Sequence, residues 1–142
     1  MSLIKEDDQA AIKDRLGSMN GAAHMVFFTQ SENPPDHSDD MKTVLGELAN
    51  LSDHLSVDVH DFEKEPETAA KYGVDRMPAI VLTGSKDFGV RYYGMPFGHE
   101  FTAFIEDIID VANGESGLTP VTRERIAALP SPVHLRVFST PT

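Results

Sequence analysis

Residues 24–60 read HMVFFTQSENPPDHSDDMKTVLGELANLSDHLSVDVH, and this stretch decides the fold. Residues 24–29 are an apolar, β-prone run bounded by turn residues, which predicts a buried strand. Pro34 and Pro35 exclude a helix in the loop that follows. Helical spacing then predicts a helix with one buried face, formed by Met41, Val44, Leu45, Leu48 and Leu51. Alternation over residues 55–60 predicts a second strand, so the stretch is a strand–helix–strand unit with a parallel pair.

The flanking segments complete the predicted sheet. A helix over residues 5–16 precedes the unit, and a short helix follows from Pro66 to the stop at Gly73. Residues 78–83 and 88–93 are strands joined by a four-residue turn, which makes a hairpin. A long helix ends at Asn113-Gly114, and its apolar face holds Phe97, Phe101, Phe104, Ile105, Ile108 and Ile109. The order predicts an α/β fold, a four-stranded mixed sheet (β-α-β-α-β-β-α) flanked by helices.

Composition narrows the classes of function. The chain has 142 residues, of which 40% are hydrophobic, enough for one domain and too few for two. It has no cysteine, which excludes disulfides, thiolate nucleophiles and thiolate metal sites. A net charge of −11 argues against nucleic acid as a partner. No apolar run approaches membrane-spanning length and the N-terminus is acidic, so we expect a cytoplasmic protein with no membrane partner.

Three stretches carry a resemblance to a known family. They are GELANLSDHLS at 46–56, YGVDRMPA at 72–79 and DFGVRYYGMPFGHEF at 87–101. They resemble the N-terminal unit of the glutaredoxin-like protein disulfide oxidoreductases, whose chains carry two thioredoxin-fold units. GHEF at 98–101 also resembles the non-redox N-terminal unit of alkyl hydroperoxide reductase flavoproteins. The resemblance covers residues 3–111 and implies a thioredoxin fold, a domain over residues 1–113 and a link to cell redox homeostasis.

The sequence departs from that family at the redox motif. Active units of the family carry Cys-x-x-Cys at the start of the helix after the first strand, and the corresponding residues here are Pro35, Asp36, His37 and Ser38. Proline has no nucleophile, and a serine hydroxyl is far less acidic than a thiol. The resemblance therefore implies a redox-inactive unit with no catalytic residue and no cofactor, acting as a scaffold or as a surface that binds a peptide or partner. Asp36 or Ser38 is expected to cap the helix.

Met77-Pro78 matches the proline that precedes the third strand in thioredoxin folds. In relatives this bond is cis, it faces the redox motif, and the residue before proline offers its backbone to an extended substrate. The resemblance implies a cis Met77–Pro78 bond in contact with the turn at residues 35–38, and a peptide-binding role for Met77 and Pro78.

Two other functions stay open. The chain is either a purely structural half that docks a second unit, or a residual enzyme that uses Ser38 or a histidine. Consecutive Asp36, His37 and Ser38 cannot easily form a Ser–His–Asp triad, because the base must reach the serine while a third group orients it. No His-x-x-x-His pair occurs among the six histidines, so we expect no metal site.

Residues 114–142 are expected to be a linker, a helix and a strand that open a second, incomplete unit. VFFT at 26–29 recurs as VFST at 137–140, and a helix-like segment precedes each, at 12–23 and at 126–132. In the family a Thr-Pro-Thr like that at 140–142 precedes the second Cys-x-x-Cys. The β-prone residues 133–138 should pair either with an edge of their own sheet or with a second copy, and only the second case gives a homodimer through this strand. The other expected partners are a C-terminal thioredoxin-like unit or a redox protein.

Overall fold

The structure is a computed structural model and describes residues 2–140. Its helices are α1 (Glu6–Leu16), α2 (Ser38–Asn50), α3 (Pro66–Lys71), α4 (His99–Asn113) and α5 (Pro120–Ala127). Its strands are β1 (Ala23–Thr29), β2 (Leu55–Asp61), β3 (Ala79–Thr83) and β4 (Asp87–Tyr93). The predicted α/β order is confirmed.

The four strands form one mixed sheet in the order β2-β1-β3-β4. β1 runs parallel to β2, with Ala23 opposite Leu55, and antiparallel to β3, with Phe28 opposite Ala79. β3 and β4 form the predicted antiparallel hairpin. β1 is therefore a central strand, and this position explains why both of its faces are apolar.

Helices cover both faces of the sheet, as predicted. Met25 and Phe27 point to one face and Val26 and Phe28 to the other, because side chains alternate along a strand. The larger core layer packs α1, α2 and α4 on the first face. The smaller layer packs α3 on the second, through Ala69.

Two glycines let the end of α4 contact the sheet. A Cβ on Gly84, in the hairpin turn, would lie 1.8 Å from the carbonyl oxygen of Val111. A Cβ on Gly21, just before β1, would lie 2.3 Å from the carbonyl oxygen of Ala112. No side chain fits at either position without moving the helix backbone.

Phe88 is exposed although strand alternation would place it on one face with Val90 and Tyr92, and Phe97 is exposed although it was predicted to lie on the apolar face of the long helix. The register of β4 shifts beside Leu82 and Thr83, and this irregularity takes Phe88 out of the core that Val90 and Tyr92 pack against. Phe97 precedes the first residue of α4, so its side chain lies outside the buried helix face.

The tail beyond the domain contains a helix but no strand. Thr119 caps α5 by accepting a hydrogen bond from the Thr122 N–H (3.3 Å), so the helix predicted over 126–132 begins earlier. The strand predicted at 133–138 is wrong for the isolated chain, since Leu135, Val137 and Phe138 are 83%, 89% and 90% exposed and no ladder includes them. Strand propensity alone does not form a strand, which needs backbone partners. Pro141 and Thr142 lie outside the described residues.

Candidate functional site

Ser38 lies at the start of α2 with its hydroxyl turned into the protein. Its side chain is only 3% exposed. Its Oγ accepts a hydrogen bond from Thr29 Oγ1 at 3.0 Å, and its backbone N–H donates to the Pro35 carbonyl at 3.1 Å. The Ser38 hydroxyl, at the predicted position of the second cysteine, is therefore buried and already hydrogen-bonded.

His37 occupies the N-cap position of α2, and no side chain caps this helix. The prediction that Asp36 or Ser38 caps it is wrong. The N-cap residue is His37, whose backbone is left-handed (φ 63°), and the Ser38 side chain bonds Thr29 and not the helix backbone. The exposed imidazole of His37 lies 3.3 Å from Asp40 Oδ2. Its contact is with Asp40, and Asp36 is exposed, so these residues form no triad.

The sheet register brings the predicted proline site to the same end of the sheet. The Met77–Pro78 bond is cis, which confirms that prediction. Phe28 pairs with Ala79, so Thr29 and Pro78 are the next residues along their two strands. Thr29 in turn contacts Ser38. Direct contact between Met77 and the turn at 35–38 stays a prediction.

Met77 and Pro78 differ in whether their backbone groups are hydrogen-bonded. The carbonyl of Pro78 accepts from the Gly94 N–H at 3.1 Å, but within residues 2–140 neither the N–H nor the carbonyl of Met77 makes a hydrogen bond. Met77 and Pro78 are both half-buried. Beside them the Arg76 guanidinium lies 5.1 Å from the ring centroid of the exposed Tyr93.

A carboxylate missed at the sequence level fixes the loop between β1 and α2. Asp61, the last residue of β2, accepts hydrogen bonds from the Ser31 hydroxyl and from the backbone N–H groups of Ser31, Glu63 and Lys64. These bonds, the Ser31 hydroxyl foremost, lower the pKa of Asp61 to about 2. Ser31 belongs to the loop that leads to Pro34 and Pro35. Only the parallel register, which places Thr29 opposite Asp61, reveals this link.

Two histidines bridge neighbouring groups on the sheet. His24 Nδ1 lies 2.7 Å from Ser56 Oγ, and its Nε2 lies 3.1 Å from Asp58 Oδ2. These contacts were missed at the sequence level, because they depend on the alignment of His24 with Ser56. His60 Nδ1 lies 2.6 Å from Glu65 Oε2, and this bond is the main cause that lowers the pKa of Glu65.

An open apolar groove of about 600 Å³ lies between the N-terminal segment, α1 and α4. Leu3, Ile12 and Phe101 line it, and Arg15 pairs with Glu106 at its wall. None of the residues of the motif turn or the Met77–Pro78 pair belongs to it.

Within residues 2–140, no three His, Asp or Glu side chains are grouped so that they would hold a metal ion. No helix in the same range has the length and apolar character needed to cross a membrane.

The chain is similar in sequence to the alkyl hydroperoxide reductase protein AhpF. It is 26% identical to the Staphylococcus epidermidis protein over 140 residues, which are 96% of this chain and 24% of the relative. It is 29% identical to a Bacillus subtilis NADH dehydrogenase over 101 residues, or 71% of this chain and 17% of the relative. The chain thus spans about a quarter or less of these relatives. No family model matches it.

Solved structures agree on the fold. The alkylhydroperoxide reductase AhpF of Enterococcus faecalis superposes with a TM-score of 0.77 at 21% identity, over 89% of this chain and 61% of that one. A protein disulfide oxidoreductase from Aeropyrum pernix gives 0.76 at 23% identity, over 91% and 56%. The chain is thus a thioredoxin-fold domain, similar in sequence to the alkyl hydroperoxide reductase protein AhpF and similar in fold to a protein disulfide oxidoreductase.

Proposed function

We propose that this domain is a redox-inactive thioredoxin-fold unit that binds an extended segment of a partner protein beside Met77 and Pro78. One observation carries the inactive half of the proposal: the resemblance assigns the two cysteine positions of the redox motif to Pro35 and Ser38, and Ser38 is buried. The whole chain contains no thiol. Thiol–disulfide exchange needs a thiolate that attacks a disulfide sulfur, and this chain has no sulfur nucleophile to supply it.

The binding half of the proposal rests on the free backbone groups of Met77. An extended peptide binds a protein edge through main-chain hydrogen bonds, and the N–H and carbonyl of Met77 offer one donor and one acceptor. Pro34 and Pro35 donate no backbone hydrogen bond, and their rings lie on the turn that we expect to face Met77. The partner is a redox protein or a second thioredoxin-like unit, in line with the names of the longer relatives. The proposed location of this protein is the cytoplasm.

Turnover and binding test the two halves separately. In an insulin-reduction assay with dithiothreitol or NADPH-dependent donors, we expect the rate of the blank. For binding, isotope-labelled protein is titrated with the carboxymethylated B chain of insulin, an unfolded polypeptide without free thiols. We expect chemical-shift changes at His37, Met77 and Ala79, with His99 as an internal control. Turnover above the blank would contradict the inactive half, and unchanged shifts at Met77 would contradict the binding half.

A double substitution tests whether Pro35 and Ser38 are the motif positions. Pro35→Cys with Ser38→Cys should oxidise to an intramolecular disulfide, whereas the control pair Pro34→Cys with Ser38→Cys should not. Because the buried Ser38 tolerates a thiol only in part, the folded state of both variants is checked by circular dichroism. If the first pair cannot form a bridge while folded, the alignment is wrong.

A second candidate, the residual enzyme, is supported by the contacts of His24 with Ser56 and Asp58. An imidazole between a hydroxyl and a carboxylate also occurs in the Ser–His–Asp triad, although here Nδ1 faces the hydroxyl and Nε2 the carboxylate, the reverse of the triad. Both Ser56 and Asp58 are exposed on the sheet. Hydrolysis of p-nitrophenyl acetate that is lost in Ser56→Ala and unaffected in Ser52→Ala would favour it. Equal rates in both variants would reject it. If the domain is instead a purely structural half that docks a second unit, it should fold but should not bind the insulin B chain at Met77.

A further inference from the structure

β2 forms an open edge of the sheet. Its only strand neighbour within residues 2–140 is β1, and the side chains of Ser56, Asp58 and Val59 are exposed. The strand is seven residues long and contains neither proline nor glycine. Such an edge is a template on which a further strand can pair.

The flanking hydrogen bonds show which backbone groups are free. The Ala23 N–H donates to the His54 carbonyl at one end, and the Phe62 N–H donates to the Thr29 carbonyl at the other. Since bonding residues alternate along a parallel ladder, the even-numbered residues of β2 bond β1. The N–H and carbonyl groups of Val57 and Val59 therefore point away from the sheet. At the end of the strand the Asp61 N–H already donates a hydrogen bond to the Glu65 carboxylate.

The opposite edge, β4, is a poorer template. Its register shifts beside Leu82, and Gly89 adopts a left-handed backbone (φ 87°). Arg91 forms an ion pair with Asp87 on this strand, and its guanidinium also donates to the Tyr72 carbonyl. Irregular edges of this kind obstruct strand addition.

Residues 133–138 have the composition of the missing strand. Val133, Leu135 and Val137 alternate with His134 and Arg136, and no proline interrupts them. All of these side chains are exposed, and Arg136 donates a 3.4 Å hydrogen bond to His134. By strand alternation Val133, Leu135 and Val137 share one face, whereas His134, Arg136 and the exposed Phe138 share the other.

The two strands match in pattern and in charge. On β2, Leu55 and Val57 pack in the larger core layer, Val59 lies on the same face but is 47% exposed, and Asp58 points to the other face. A strand with Val133, Leu135 and Val137 on the core side would extend that apolar layer. Arg136 would then lie on the same face as Asp58, which is 62% exposed. Opposite charges across neighbouring strands favour pairing.

We propose that residues 133–138 of one copy pair with the outer edge of β2 in a second copy, with Arg136 beside Asp58, and that two copies exchange these strands in a closed dimer. In the structure the tail does not lie on the edge of its own sheet. Reciprocal exchange leaves no unpaired β2 edge in the assembly, which stops further growth.

Sedimentation equilibrium over the concentration range of an NMR sample measures the association. We expect a dimer for the 142-residue chain and a monomer for Leu135→Pro with Val137→Pro, because proline has no N–H to donate to a ladder and this segment lies outside the folded domain. Leu129→Ser, an exposed apolar change outside the pairing segment, should leave the dimer intact. Asp58→Arg and Arg136→Asp should each weaken association at least tenfold, and their combination should restore it.

Three results would overturn the proposal. The first is a monomer at every concentration. The second is a dimer that survives the two proline substitutions, since its interface would then lie elsewhere, for example in the groove beside α1 and α4. The third is a monomer whose residues 133–138 are protected from amide hydrogen exchange, which would place the tail on its own sheet.

Discussion

Two nearly identical tetrapeptides have opposite environments in this protein. Val26 and Phe27 belong to VFFT in β1 and are fully buried, whereas Val137 and Phe138 belong to VFST in the tail and are exposed. The first pair lies between two neighbouring strands and two layers of helices, and the second lies against nothing in the isolated chain. β propensity and hydrophobicity therefore make a segment able to form a strand. Whether the strand forms depends on backbone hydrogen-bond partners and on a surface to pack against.

Matched truncations in the two tetrapeptides should give the largest difference. Phe27→Ala should lower the free energy of unfolding by about 3–5 kcal/mol, because it leaves a cavity in the core. Phe138→Ala should change it by less than about 0.5 kcal/mol in the monomer, because the side chain is exposed. Urea unfolding followed by circular dichroism at low protein concentration measures both. Equal losses would show that the tail belongs to the folded domain.

Glycines give the second comparison. Gly84→Ala should destabilise the domain by about 2–3 kcal/mol, since the new methyl group would collide with the Val111 carbonyl. Gly117→Ala, at a left-handed tail position with no atom near the added Cβ, should strain only the tail and leave domain unfolding unchanged. Both variants are compared by thermal denaturation. A stable Gly84→Ala protein would mean that the end of α4 does not approach the hairpin as described.

Removing a hydroxyl group from the domain or from the tail should give a smaller difference in stability. Thr29→Val removes the donor to the buried Ser38 and should cost about 1 kcal/mol of unfolding free energy. Thr119→Ala removes the cap of α5 and should lower the helix content of the tail without moving the domain transition. The first is measured by urea unfolding and the second by NMR secondary shifts. If Thr29→Val were neutral, the Ser38 hydroxyl would have another partner.

The smallest expected effect is a change in titration. The pKa of Asp61 is lowered to about 2 in the folded protein, from a reference value of 3.8. A lowered pKa means that the carboxylate contributes stability above pH 3.8, and that this contribution is lost as the pH falls through 2. Ser31→Ala should raise the pKa, as read by carbon-13 NMR, and Ser116→Ala in the tail should not. An Asp61 pKa unchanged by Ser31→Ala would contradict the assignment of its main partner.

Much of the domain follows from local patterns. The apolar run at 24–29, the helical spacing from Met41 to Leu48 and the turn at Gly84 each predict their element within a residue or two, because period and turn chemistry act over short distances. The position of the redox motif and the cis bond before Pro78 came from resemblance to a family and not from spacing. The contacts of the candidate site could not be predicted in this way. The hydrogen bond between Thr29 and Ser38 depends on how α2 packs beside the end of β1. The bond between Ser31 and Asp61 depends on the parallel register, which places Thr29 opposite Asp61.

Periodicity and residue type are enough to predict the kinds of element and the layered α/β architecture, and composition shows that these 142 residues contain no thiol. The tertiary structure alone decided which polar groups meet, as for His24 with Ser56 and Asp58, and which apolar segments are covered. It also decided that residues 133–138 remain without a ladder in the single chain. The physical reason is that propensity is a property of a segment, whereas burial and hydrogen bonding depend on what the rest of the fold places beside it.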